Sequence, residues 1–317
     1  MRKMPYGLSF LDDALGGILP DDLIVIGAAT GIGKTTLAMV LAEQAAVSGK
    51  ATRLLALERG ADEIHMRLVY RRVAQEFFTN RGEFPANERL TWLNFYTGQL
   101  GGWADVLVAK HSEAVARELT NLDIIPDAVS YGEWTRKNVG TVYEDLADDS
   151  NLVVLDHLHM LNETDEDRGE LQAVVQNVRV LRQLIYKHEV PMIVFSHLRK
   201  RDRFSKWVIP PLEELHGSSE ISKQASAVIT IARAFVIPGP DDSEREAPHG
   251  ATWLRVAKAR HGNMACTQYA AMMFFDFDKN AYKPLYFPFS ISPDGTELKP
   301  LQSEADFEPW MSGARVM

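Results

Sequence analysis

Residues 27 to 36 combine the residue types and the spacing that bind a phosphate chain. They are Gly27-Ala-Ala-Thr-Gly31-Ile-Gly33-Lys34-Thr35-Thr36, directly after an aliphatic run and before an amphipathic stretch. In a P-loop, backbone N–H groups point at the β-phosphate, the lysine lies near the β- and γ-phosphates, and the hydroxyl ligates Mg²⁺. The sequence therefore predicts a nucleotide site formed by Ala28, Ala29, Thr30, Gly31, Ile32, Gly33, Lys34, Thr35 and Thr36.

One position of this loop departs from the usual pattern. The pattern G-x-x-x-x-G-K-T has glycine where this chain has Ala28. Gly27 and Gly31 are candidates to supply the flexibility instead. Alanine fits its position only if its φ is negative.

Two carboxylates follow predicted strands and are candidates to serve a bound nucleotide. Asp156 ends the hydrophobic run Asn151-Leu-Val-Val-Leu-Asp156, which has the form of a Walker B motif whose aspartate holds Mg²⁺ through water. Glu58 follows the run Thr52–Leu57 and could orient an attacking water as general base. A solvated strand end, or an ion pair with Arg59, is the alternative interpretation of this glutamate.

The composition is typical of a globular protein with a sizeable core. The chain has 317 residues, of which 46% are hydrophobic and 24% charged. It shows no signal peptide and no apolar run of the roughly 18–20 residues that a membrane span needs. The single Cys266 suits a reducing compartment, and the net charge of −9 argues against a generic basic wrapper of nucleic acid or membrane. We expect a cytoplasmic protein with no membrane partner.

Short apolar runs alternate with longer amphipathic stretches, which predicts an α/β fold with a mostly parallel central sheet flanked by helices. The predicted strands are Leu23–Gly27, Leu54–Leu57, Leu152–Leu155, Met192–Phe195, Val228–Ala232 and Leu254–Ala257. Apolar residues at helical spacing predict helices over Thr35–Ser48 and Glu170–His188, both packed on the sheet.

The pattern predicts one core over residues 1–290. Within it, residues 60–150 are mainly helical and form an insertion between two strands. Alternating residues in Trp253–Lys258 and Gln268–Phe277 predict antiparallel strands near the C-terminus. The chain is rich in proline and acidic residues from Pro284, so we expect irregular structure there, with residues 291–317 as an acidic tail.

Several segments, in their order along the chain, resemble the RecA-like ATPase core of DnaB-type ring helicases, which include phage primase-helicases and Twinkle-like helicases. They span roughly residues 8–290. Several DnaB proteins also have alanine at the first position of the P-loop. The matching segments are Leu11-Asp-Asp-Ala-Leu-Gly-Gly-Ile-Leu-Pro-Asp-Asp-Leu, the loop at 27–36, Leu55-Ala-Leu-Glu58-Arg, Val153-Val-Leu-Asp156-His-Leu-His, Pro191-Met-Ile-Val-Phe-Ser-His197-Leu, Glu214-Leu-His216-Gly217-Ser218-Ser and Val256-Ala-Lys258-Ala-Arg260-His-Gly262.

The resemblance implies ATP and Mg²⁺ as cofactors and assigns roles to the matched residues. Thr35 and Asp156 would hold the Mg²⁺. In the family, the residue matching His197 senses the γ-phosphate, and the one matching Arg260 is an arginine finger that reaches the ATP of the neighbouring subunit. The catalytic residues implied are Glu58, Lys34, His197, Arg260 and Lys258.

The resemblance further suggests that Arg233 and Phe277 lie on either face of the adenine. Each of these roles has a plainer alternative. Lys258 and Arg260 are also what an alternating strand with outward charges would show. His197 could start a solvated loop, and an aromatic residue such as Phe277 in an alternating strand often belongs to the core.

A basic segment follows His197 and predicts a DNA contact. Residues 199–207 contain five basic residues, one acidic residue and two aromatic residues. A solvated loop is the alternative, but in a ring this loop faces the central channel, where several copies would follow a phosphate backbone. The residues predicted to bind single-stranded DNA are Lys200, Arg201, Arg203, Lys206, His216, Gly217 and Ser218.

These features together favour an ATP-dependent helicase or translocase of the replicative ring type. We expect a homo-oligomer, most simply a hexamer, that moves on single-stranded DNA and meets other replication proteins. Its minimal form suits a phage or plasmid gene product acting in the host cytoplasm. The alternatives are a RecA- or RadA-like recombination ATPase or KaiC-like regulator, and a partner-regulated ATPase that acts as a loader, remodelling factor or defence component.

Overall fold

The fold is described from a computed structural model. It describes residues 3–29, 31–125, 134–161, 169–198, 209–215, 217–238, 244–247, 250–261, 264–276, 281–292 and 297–301. The helices are α1 Ser9–Leu15, α2 Lys34–Val47, α3 Ala61–Thr79, α4 Trp92–Tyr96, α5 Gly102–Glu118, α6 Arg136–Ala147, α7 Glu170–His188 and α8 Ser218–Gln224. The strands are β1 Leu23–Ala28, β2 Thr52–Ala56, β3 Leu122–Ile125, β4 Leu152–Asp156, β5 Met192–His197, β6 Ala227–Arg233, β7 Val236–Pro238, β8 Glu244–Glu246, β9 Ala251–Ala259, β10 Tyr269–Asp276, β11 Ala281–Ile291 and β12 Leu298–Pro300.

In the described part of the chain, ten strands form one sheet. Their order is β12-β11-β10-β9-β6-β1-β5-β4-β2-β3. The strands from β6 to β3 are parallel, and β6, β9, β10, β11 and β12 pair antiparallel in turn. Strand β1 therefore lies in the middle of the sheet, between β5 and β6.

Both faces of the parallel part are covered, which explains its unbroken aliphatic runs. Along β1, Ile24 and Ile26 pack into the core cluster that contains α2 and α3. Leu23 and Val25 point to the opposite face and pack with α6 and α7. This alternation holds the end of β1 rigidly between two layers of helices.

The predicted α/β architecture is confirmed, with one further strand inside the predicted helical insertion. Residues Leu122–Ile125 form β3, which pairs in parallel with β2 at the edge of the sheet. The segment is only four residues long and none of them is fully buried. An edge strand this short has no clear hydrophobic pattern, so its residues were wrongly included in a helical region.

The sequence also predicted irregular structure from Pro284, and this was wrong for part of the segment. Strand β11 extends to Ile291, and β12 pairs with its last three residues. Tyr286 packs on one face and Phe289 on the other. The two prolines of β11 are tolerated because most of this strand has no neighbour on its outer side among the described strands.

None of the helices among the described residues has the length and apolar composition needed to cross a bilayer.

Candidate active site

Five parallel strands end side by side at one edge of the sheet, and each is followed or ended by a polar group. In spatial order these strands are β6, β1, β5, β4 and β2. The groups at their ends are Arg233, the loop after β1, His197, Asp156 and Glu58. Ligands of open α/β sheets bind outside the carboxyl ends of the strands, so this edge is the candidate site.

The loop after β1 has the backbone that its glycines predict. Gly31 and Gly33 have φ angles of 80° and 88°, in the left-handed region that favours glycine. Ala28 is still part of β1, where it pairs with His197 and Ile231 in extended conformation. The loop therefore needs glycine at 31 and 33, while alanine fits at 28. Thr30 lies outside the described residues.

Gly27 serves close packing. A β-carbon at this position would clash with Cδ2 of Leu215 and lie 3.2 Å from Cδ2 of Leu198. Both leucines are buried in the core on the α7 side of the sheet. The close approach brings the segment after β5 against the base of the loop.

We expect Gly27→Ala to lower the free energy of unfolding by about 1–3 kcal/mol, because the added methyl group overpacks the site. Urea unfolding followed by circular dichroism measures this change. The matched control is Gly82→Ala, since a β-carbon on Gly82 meets no atom within 4 Å. Equal stabilities for the two variants would contradict the packing role of Gly27.

Lys34 begins α2 and is buried at the edge of the sheet. Its Nζ lies 3.3 Å from the carbonyl oxygen of Ala29 and 3.1 Å from Nδ1 of His197. Burial lowers the pKa of Lys34, and the nearby Asp156 and Glu58 carboxylates oppose that shift. The end of β5 and the start of α2 are thus in direct contact at the phosphate loop.

Asp156 and Thr35 form the part of the site that suits a hard cation. Asp156 is 1% exposed, and its Oδ1 is buried without a hydrogen-bond partner. Burial and the nearby Glu58 carboxylate raise the pKa of Asp156, while a hydrogen bond with Thr35 counteracts them. An unsatisfied carboxylate oxygen beside a hydroxyl is a fitting ligand pair for Mg²⁺, directly or through water.

Glu58 contacts a histidine and not its sequence neighbour. Its Oε2 lies 3.5 Å from Nε2 of His157. Arg59 instead donates to Glu63, 2.9 Å away. The predicted alternative of an ion pair between Glu58 and Arg59 is therefore wrong.

Two further histidines at the site, His157 and His159, were missed by the sequence analysis. The ring centroid of His157 is 4.4 Å from that of His197, and the ring of His159 is 5.0 Å from it. Burial, with His197 and Lys34 adding to it, lowers the pKa of His157 to about 4, so this ring is neutral near pH 7. The signal was present in the sequence, since both histidines follow Asp156 directly in the motif Asp156-His-Leu-His.

Lys258 and Arg260 do not lie at this edge. Ala259 pairs with Ala227, which pairs with Ile24, four residues before Ala28, or about 13 Å away at 3.3 Å per residue. The Lys258 ammonium donates to the carbonyls of Ser222 and Ala225, and the Arg260 guanidinium donates to that of Lys223. Both cations therefore lie toward the amino edge of the sheet, away from the phosphate loop of their own chain.

Arg233 lies at the carboxyl edge and is exposed. Its guanidinium carbon is 5.5 Å from the ring centroid of Phe235, which is itself exposed. Phe277, the other predicted adenine contact, lies outside the described residues. Phe235 is an aromatic group near this edge that the sequence analysis did not single out.

Most of the predicted DNA contacts also lie outside the described residues: Lys200, Arg201, Arg203, Lys206 and His216. The two that are described begin α8, with Gly217 at a φ of 71° before Ser218. The Arg179 guanidinium fixes this helix through Glu220, at 2.9 and 3.1 Å, and holds the pKa of that carboxyl at about 2.

The chain belongs to a known family. The model of the DnaB-like helicase C terminal domain matches residues 4–277. Among curated proteins, it is 24% identical over 264 residues to the replicative DNA helicase DnaB of Leifsonia xyli subsp. xyli, covering 83% of this chain and 52% of that protein. It is 24% identical over 274 residues to the DnaB of Geobacillus stearothermophilus, covering 84% and 54%. The chain thus spans about half the length of these relatives.

Solved structures show the same fold. A DnaB-like replicative helicase, determined in a study of its interactions with primase, matches with a TM-score of 0.65 and 18% identity, over 88% of this chain and 61% of that one. A separately solved ATPase domain matches with a TM-score of 0.61 and 16% identity, over 95% of this chain and 92% of that domain. The RecA-like ATPase fold and the family predicted from the sequence are confirmed.

Proposed function

We propose that this protein is an ATP-driven motor that assembles into a ring, most simply a hexamer, and moves on single-stranded DNA as a replicative helicase does. The observation that carries the proposal is the row of groups at the carboxyl edge of the sheet. A phosphate loop, a buried lysine, a histidine, an unsatisfied carboxylate and a second carboxylate lie there on adjacent elements. Phosphoryl transfer needs these parts.

Nucleotide binding is assigned to the loop and the start of α2. The backbone N–H groups of residues 31–36 and the Lys34 ammonium would hold the phosphates of ATP, and Thr35 with Asp156 would hold Mg²⁺. When bound, Mg²⁺ neutralises charge on the β- and γ-phosphate oxygens. Arg233 lies at the same edge, two residues past the β6 position that pairs with Ala28, and would contact the base.

Water activation is assigned to Glu58. Its carboxylate is 45% exposed, so water can reach it, and the contact with the neutral His157 restricts its orientation. His197 contacts the Lys34 ammonium and is thus placed to respond to the γ-phosphate. The three histidines would link the water-activating group to the phosphate-sensing one.

Arg260 is assigned to the site of a neighbouring copy. Its position toward the opposite edge of the sheet, about 13 Å along the strands from the loop, supports a contact in trans. Lys258 would accompany it. Burial, together with Arg260 and Arg182, lowers the pKa of Lys258 to about 8, so it is still largely charged near pH 7. Hydrolysis then depends on assembly.

DNA binding is assigned to the basic segment after His197 and to the start of α8. The relatives named above are replicative DNA helicases, which supports DNA as the partner. Other replication proteins are further expected partners. A role in replication would place the protein in the cytoplasm, on phage, plasmid or chromosomal DNA.

The first test is the ATPase rate per subunit as a function of protein concentration, with and without single-stranded DNA, at two salt concentrations. A motor of this kind gives a rate that rises with concentration and again with DNA, more strongly at low salt. A rate that rises with concentration but ignores DNA would favour an ATPase controlled by a protein partner.

Reversing the charges of Arg201, Arg203 and Lys206 to glutamate should abolish the DNA stimulation and leave the basal ATPase rate unchanged. Each lost phosphate contact weakens binding, and the new negative charges repel the backbone. The matched control carries glutamate at the exposed Arg89, Lys110 and Arg117, which are distant in sequence from the basic segment. Unchanged stimulation in the first variant would contradict the assignment of the basic segment.

A further inference from the structure

A second group of metal-binding side chains lies away from the candidate active site. Asp21 and Asp22 precede β1, and His261 follows β9, so all three belong to the amino edge of the sheet. One ligand atom from each residue lies within 4.8 Å of the others. The proposed ATPase activity makes no use of this group.

Asp22 presents a carboxylate oxygen whose charge is unsatisfied. Its Oδ2 accepts a hydrogen bond from the backbone N–H of Leu19 at 2.8 Å, which fixes the carboxylate. Its Oδ1 is buried without a hydrogen-bond partner and faces Nε2 of His261 at 3.7 Å. The Asp22 side chain is only 6% exposed. A buried carboxylate oxygen left without a partner is costly, so a ligand that binds there is stabilised.

The neighbouring basic residues do not neutralise these carboxylates. Arg182 donates to the main-chain oxygen of Asp21. Lys258 and Arg260 donate to main-chain carbonyls of residues 222–225. In the described ranges, no lysine or arginine forms an ion pair with either aspartate, so the two negative charges remain available to a cation.

We propose that Asp21, Asp22 and His261 bind a zinc ion. Zinc bonds to imidazole nitrogen and carboxylate oxygen are about 2.0–2.2 Å long, which places ligand atoms on one ion about 3–4 Å apart. The 3.7 Å between Asp22 and His261 falls in that range. Mg²⁺ and Ca²⁺ prefer oxygen ligands, so the imidazole selects a first-row transition ion. Asp21 and His261 are exposed, which leaves the remaining coordination positions to water.

The site would act on the residue next to it. Arg260 directly precedes His261, and zinc would tie this turn to the segment before β1. The ion would then fix the direction in which the Arg260 backbone leaves the sheet. Zinc binding itself requires neither ATP nor DNA nor a second copy of the chain, so it is testable independently of the proposed motor function.

The test is a titration of the purified, untagged full chain with Co²⁺, without nucleotide, followed by its visible absorption and reversed by Zn²⁺. We expect one Co²⁺ per chain, and an affinity at least tenfold lower in His261→Gln and in Asp21→Asn. The histidine control is His65→Gln, on α3. The control for the candidate magnesium site is Asp156→Asn. Both should bind Co²⁺ as the unmodified protein does.

Thermal unfolding gives a second readout that does not need the absorption signal. Zn²⁺ should raise the melting temperature of the unmodified protein and of His65→Gln, but not that of His261→Gln. The proposal is overturned by the absence of saturable binding, by binding that His261→Gln leaves unchanged, or by binding that only Asp156→Asn removes.

Discussion

Replacing Arg260 by alanine is expected to lower kcat for ATP hydrolysis by about 10³–10⁵-fold, because an arginine finger stabilises the charge of the phosphoryl-transfer transition state by that amount. The position of Arg260 toward the amino edge of the sheet adds a second expectation. Arg260→Ala and Lys34→Ala should each be inactive alone, yet a mixture of the two should recover part of the ATPase activity. Some interfaces in the mixture pair an intact loop with an intact arginine.

The matched control for this experiment is Arg117→Ala, which removes an arginine from the exposed surface of α5. It should retain the full ATPase rate. Full activity of Arg260→Ala alone would contradict the assignment of the finger. Inactivity of the mixture, with both variants shown to assemble, would contradict its action on a neighbouring copy.

Replacing Glu58 by glutamine is the second change with a large expected effect. The amide keeps the size and the polar contact with His157 but cannot take a proton from water, so kcat should fall by about 10²–10⁴-fold. Binding of ATP should be unchanged, because the phosphate-binding groups are on the loop and on α2. Single-turnover ATPase measurements and the affinity for a fluorescent ATP analogue separate the two effects.

Glu113→Gln, on the exposed face of α5, is the matched control for Glu58→Gln and should behave as the unmodified protein does. A Glu58→Gln variant that retains most of its kcat would exclude this residue as the general base. A variant that loses ATP affinity in proportion to its activity would instead indicate a role in nucleotide binding.

The sequence predicted the strands that position the site because buried parallel strands show continuous aliphatic runs. It also predicted which polar groups come together, since the carboxyl ends of such strands share one edge. Ala28 shows the limit of motif matching. The pattern requires glycine there, but the residue is still extended and pairs on both sides, so alanine costs no strain.

Other features depend on contacts between distant segments. The close approach of Leu215 to Gly27, and the ring contacts of His157 and His197, join residues that are far apart in the chain. Strand β3 is too short and too exposed to show a pattern. Strand β11 contains two prolines, which indicate irregular structure unless one knows that the strand lies near an edge of the sheet.

The separation of Arg260 and the phosphate loop along the sheet has a consequence for assembly. Copies that each offer the arginine from one surface and accept it at another must associate through heterologous contacts, and every subunit then has the same direction. An open row of such copies always contains one incomplete catalytic centre, at its end. A closed ring contains none, so closure raises the activity of the whole assembly by one centre and gives it a single sense of rotation.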